Sequence, residues 1–320
     1  MIKCQIDQKW FEFDSAWESL SVSSLEIFYD KFFIKGKFHS NVPQRIIDEY
    51  ETVEYLMFFA YNHIELYNEA FNKCMRLLDV VVKLKAKELQ INLKFVNGRE
   101  KNLNLLIKEI CSTQNYSSLQ VELDWFRKLR NMEMHPGEGS FLGPFLNHTS
   151  KLKLFVNIVN FLFIDEQKLN ALTNTEFSLK KIIKSFDSSY FTALIDNKKY
   201  LIKRIINHKV IYNKYDTSLI FILEPILTDT FEFVSKHVGN PIRVLITNYT
   251  VEYNKIIGTN ANGSHFELLT DNKKENIIVV NTFENDLRRL EDRNRINYEM
   301  HIDHKALLDI IDLTYIHSYD

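Results

Sequence analysis

Cysteine is scarce in this chain of 320 residues: Cys4, Cys74 and Cys111 are the whole complement, and no two share a paired spacing. That excludes a disulfide framework or a zinc knuckle built on close cysteine pairs, and it makes a reducing, cytoplasmic location the expectation. An excess of one charge is also missing. With a formal net charge of -2, the molecule as a whole has no electrostatic bias toward nucleic acid, so any contact with phosphates must come from a local patch. Long hydrophobic runs are absent as well. The most apolar stretch, Leu154 to Ile164, is interrupted by Asn157 and Asn160 and is too short to span a bilayer. The opening MIKCQIDQKWFEFD gains acidic residues at once and has no apolar h-region, so no secretory signal is read there and no membrane partner is expected.

Glycine and proline are few, and their distribution is informative. Neither occurs between Gln44 and Asn97. In that stretch Ile46, Tyr50, Val53 and Met57 recur at helical spacing, as do Phe71, Met75, Leu78 and Val82. One very long helix, or two with a polar break near Asn62 to Asn72, satisfies this pattern, and Pro43 stands where an opening helix tolerates proline. Further helical patterns run from Arg99 to Cys111, from Ser118 to His135 and from near His148 onward. In the Ser118 to His135 segment, Val121, Trp125, Leu129 and Met132 predict one buried stripe. The first forty residues are ambiguous, consistent with a short strand and a helix packed on the bundle.

After about Phe177 the character changes. Runs such as YFTALI, KYLIKRII, KVIYN, SLIFIL, IRVLIT and NIIVV are strand-like and separated by polar turns. A helix over Thr230 to Val238 and a long one from Phe283 to roughly Ile311 complete the reading. The expectation is therefore α+β overall: an all-α domain over 1–175, with 1–40 as an ambiguous extension, then a smaller mixed α+β domain over 176–320. The tetrapeptide Asp-Asn-Lys-Lys occurs at 196–199 and again at 271–274, which we read as recurrent turn chemistry and not as duplication.

The residues with the most chemistry lie in DWFRKLRNMEMHPGEGSFLGPF, Asp124 to Phe145. On an ideal helix Arg130 and His135 are about 140° apart. Pro136, however, pushes His135 off helical angles and ends the helix, so the ring can swing toward the arginine. Gly137, Gly139 and Gly143 follow at once in a chain with only eight glycines, which suits a loop made for close approach. An arginine beside a histidine fits metal-free phosphodiester cleavage. The guanidinium grips phosphate and offsets its developing charge, while imidazole moves protons near neutrality. Asp79 or Glu69, on the preceding long helices, can orient Arg130 by an ion pair.

The string Arg-Asn-Met-Glu-Met-His, carrying Arg130, Asn131 and His135 late in a four- or five-helix pattern, resembles the HEPN family over about residues 40–175. The resemblance implies a HEPN-like bundle and a metal-independent endoribonuclease that uses 2′-OH attack. It implies catalytic Arg130, Asn131 and His135, substrate-binding Arg127, Lys128, Gly137 and Gly139, and neither metal nor cofactor. RNA as substrate, homodimerisation, and a toxin or antiviral-defence role with an antitoxin or defence-system partner are implied with it. The alternative is a catalytically inactive HEPN-like module that dimerises and serves a partner protein or nucleic acid. In the C-terminal half, His301-Ile302-Asp303-His304 looks like a compact metal cluster but lacks the spacing of ligands on one helix face, so a solvated surface is expected.

Overall fold

The computed structural model describes residues 8–134, 146–185, 190–213, 216–226, 240–290 and 292–318. The chain divides into two compact units, Met1–Asp165 and Glu166–Asp320. The architecture is α+β overall, with the first unit built of helices and the second combining an antiparallel sheet with further helices. The expected boundary after residue 175 falls inside a continuous helix, Glu166–Ser185, that belongs to the second unit.

In the first unit the described helices are α1 (Leu25–Phe32), α2 (Gln44–Phe59), α3 (Glu65–Glu88), α4 (Leu103–Cys111), α5 (Gln120–Met134) and α6 (Leu146–Phe163). Two helices, and not one, occupy the glycine-free stretch; the break falls at residues 60–64, at the start of the polar run expected from Asn62. The central member is α3, which packs against α2, α4, α5 and α6 and buries Phe71, Met75, Leu78 and Val82 among others. The first forty residues supply α1 and two short 3-10 turns, with no strand among the described ones. Aromatic packing explains why they dock. Trp17 is fully buried, its ring 4.8 Å from those of Phe28 and Phe32, and its indole N–H donates to the Ala60 carbonyl at 2.7 Å. Farther along, the Asn160 amide donates to the Lys37 carbonyl at 2.7 Å and its oxygen accepts from the His39 N–H at 3.2 Å. One of the two asparagines that interrupt the apolar run of α6 thus fastens the N-terminal segment to the bundle.

The second unit opens with α7 (Glu166–Ser185) and continues, among the described residues, through six strands: β1 (Tyr190–Ile195), β2 (Lys198–Asn213), β3 (Asp216–Pro225), β4 (Ile242–Glu252), β5 (Lys255–Asn260) and β6 (His265–Asp271). Each pairs antiparallel with the next, and β1 also pairs with β6, closing a barrel. Asp196 and Asn197 both have positive φ, as the tight β1–β2 hairpin needs. The Asp196 carboxylate also accepts from Asn260, Asn262 and Ser264, so it joins that turn to the β5–β6 turn. The second Asp-Asn-Lys-Lys behaves differently. Asp271 ends β6 and accepts from the Lys273 N–H and the Asn276 amide, opening α8 (Lys274–Arg289).

Two strand and helix expectations are corrected here. NIIVV is not a strand: it lies in α8, whose Val280, Phe283 and Leu287 are buried together with Tyr298 and Ile302 of α9 (Asp292–His317). The 3-4 spacing of the buried Val280, Phe283 and Leu287 wins over the local β-preference of Ile and Val. The single long helix from Phe283 is in fact this pair, interrupted at Leu290. The helix expected over Thr230 to Val238 lies outside the described residues. Among the described residues no helix is long and apolar enough to cross a membrane.

Candidate functional site on helix α5

Leu123, Phe126 and Leu129 form the buried side of α5, with the Phe126 ring set edge-on to Phe155 of α6 at 6.2 Å. This corrects the expected stripe: Val121 is 79% exposed and Trp125 39%. The correction matters for Arg130. Counting 100° per residue, Leu123, Phe126 and Arg130 fall at i, i+3 and i+7 on one face. Arg130 thus leaves α5 on the inward side, not from the edge of a stripe.

There it meets α3. The Arg130 Nη2 donates to Asp79 Oδ2 at 2.6 Å, with side-chain exposures of 25% and 32%. Such a charge-assisted contact at the rim of a core fixes the guanidinium more firmly than a fully solvated pair would. Nη1 lies 3.3 Å from Asn131 Oδ1, and Nε is enclosed without a hydrogen-bond partner among the described residues. The guanidinium is therefore held firmly at Nη2 and more loosely at Nη1, and its unused N–H groups, Nε among them, retain donor capacity for an anion. Glu69 sits on an exposed position ten residues before Asp79 on α3 and plays no part in this contact.

The other predicted residues are distributed around the helix. Asn131 is exposed. Arg127 is half-buried and bound to Asp124 at 2.9 Å. That bond, with Lys128 and Lys108 nearby, holds the Asp124 carboxyl below its usual range. Lys128 is exposed, about 160° around the helix from Arg130. The structure therefore brings Arg130 and Asn131 together and leaves Lys128 on another face. His135, Gly137 and Gly139 lie outside the described residues.

Elsewhere, His148 is buried at the start of α6 with its ring stacked on Phe71 at 4.2 Å. Burial, and then the Lys151 charge, push its pKa down to about 4, so it is neutral at physiological pH. Its helical position was legible in the sequence; its enclosure was not, because the Phe71 partner is 77 residues away. His301 and His304 are exposed, and Asp303 is bound to Arg204 at 2.8 Å. Among the described residues no group of three or more His, Cys, Asp or Glu side chains is placed to hold a metal ion. Compared with known proteins, the chain matches no family model, no curated protein and no solved structure.

Proposed function

We propose that the helical unit is a HEPN-like, metal-independent endoribonuclease whose phosphate-gripping residue is Arg130. The single observation that carries this reading is the placement of Arg130: a guanidinium on the inward face of α5, oriented by Asp79 of α3, with unused donors. In the proposed reaction a ribose 2′-OH attacks its own 3′-phosphate, its proton passing to a base as the P–O5′ bond breaks. The 5′-oxygen takes up a proton, giving a 2′,3′-cyclic phosphate and a 5′-OH end. His135 supplies proton transfer, Arg130 offsets charge on the non-bridging oxygens, and Asn131 contributes a polar contact beside them.

One motif histidine per chain provides one base or one acid, so the reading includes a homodimer that supplies both. Val121 and Trp125, one turn apart and exposed on α5, support an apolar contact there. The same pair favours the second reading, a bundle that only dimerises and serves a partner. A toxin or antiviral-defence role with an antitoxin or defence-system partner belongs to the first reading.

Mutation separates the two. Arg130→Ala and His135→Ala are each expected to reduce RNA cleavage by at least about a hundredfold, with unchanged circular dichroism. Retention of full activity by both variants would refute the site.

A further inference from the structure

A cleft of about 750 Å³ opens in the helical unit where residues 10–15 cross the turn joining α2 to α3. Its walls are held by polar contacts of the main chain. The Asp14 N–H donates to the Tyr61 carbonyl at 3.2 Å, the Asn62 amide to the Glu12 carbonyl at 2.9 Å, and the Ile64 N–H to Asp14 Oδ2 at 2.9 Å. The volume falls in the range of small-molecule sites, roughly 300–1,000 Å³.

Its lining has an unusual balance. The rings of Trp10, Phe13 and Phe59 face the cleft, and Trp10 and Phe59 remain 68% and 51% exposed. Exposed rings gathered around a cavity mark a binding surface more often than chance solvent contact. Glu12 and Asp14 add two carboxylates, and among the described residues neither lysine nor arginine lines the cleft. His63 stands at the edge, Nδ1 3.9 Å from Asp14 Oδ2.

We propose that this cleft binds an organic cation of the alkylammonium class. The negative faces of aromatic rings attract such a group, carboxylates complement its charge, and the rings bury its methylene or methyl surface. A phosphate-bearing ligand meets two carboxylates, with no lysine or arginine among the described lining residues to compensate them. A neutral apolar ligand of the same size would desolvate those carboxylates for no return. None of these residues belongs to the Arg130 site, and the inference stands independently of the nuclease reading.

The test is calorimetric titration of the full chain with choline and with its neutral isostere, 3,3-dimethylbutan-1-ol. A peptide carrying trimethyllysine forms a second arm, which tells a cation presented by a protein from a free one; adenosine is the control for simple ring stacking. Saturable binding of choline or the peptide is expected, with the isostere at least about tenfold weaker than choline where choline binds. Glu12→Gln, at an exposed position, should weaken cation binding several-fold, and Trp10→Ala should weaken it more. No saturable binding of either cation, equal binding of choline and isostere, adenosine binding as tightly as the cation, or indifference to Glu12→Gln would each overturn the proposal.

Discussion

Asp79 is the residue whose role follows most directly from its contacts. Its single charge-assisted bond to Arg130 makes it a positioning residue for the proposed chemistry. Loss of that bond should let the guanidinium drift by about an ångström, and misplacement on that scale costs up to roughly a hundredfold in rate. Asp79→Asn is accordingly expected to lower kcat for RNA cleavage by about ten- to a hundredfold with little change in KM, and Asp79→Glu to restore part of it. A loss of thermal stability with kcat intact would assign Asp79 a structural role only.

His148 offers a separate test of the core. Its value falls from 6.5 to about 4 in the folded chain. As pH drops through this window the unfolded state takes up the proton first, so stability present above about pH 6.5 is lost toward pH 4. The full effect is on the order of 3 kcal/mol. His148→Phe keeps a ring to stack on Phe71 and removes the titration. Urea unfolding at pH 7.5 and 4.5 should show a smaller acid loss in the variant; an identical loss in both proteins would contradict the assignment.

Among the elements, β4 and β5 show how a local irregularity fixes a residue type. The register of β4 against β5 shifts between Thr247 and Thr250, and Asn248 within that bulge has φ of 47°. The bulge draws β4 over Gly258 of β5, where an added Cβ would lie 2.3 Å from Ile246 Cγ2 and 3.0 Å from the Thr247 carbonyl oxygen. Gly258→Ala forces the two strands apart and should destabilise the barrel unit by about 1–3 kcal/mol. An unchanged urea midpoint for that unit would show that β4 yields without cost.

The same scale explains what could be read in advance. Ile46, Tyr50, Val53 and Met57 form an unambiguous helical series and are all buried in α2. On α5 the sequence holds two apolar series, and only the partner Phe155 decides for Phe126 over Trp125. Most strands announce themselves by β-branched runs, whereas closure of the barrel depends on pairing of Tyr190 with Asp271, a distant contact that no local pattern encodes. Asp-Asn-Lys-Lys at its two places makes the same point: a hairpin in one context, a helix start in the other. At the site, the sequence offered Asp79 and Glu69 as acids that could face Arg130 without fixing either; the packing of α3 against α5 selects Asp79.

At the scale of the whole molecule, a helical unit and a barrel unit each carry a core of their own. The motif residues all lie in the first, and the net charge of -2 leaves RNA binding to a local cation such as Arg130. On the proposed reading, this chain cuts RNA without metal through Arg130. That reaction is tested most directly by incubating the full chain with RNA in excess EDTA and analysing the product ends. Cleavage leaving 2′,3′-cyclic phosphate and 5′-OH termini, lost in Arg130→Ala, is expected; cleavage that strictly requires a divalent metal, or that persists in Arg130→Ala, would rule the proposed reaction out.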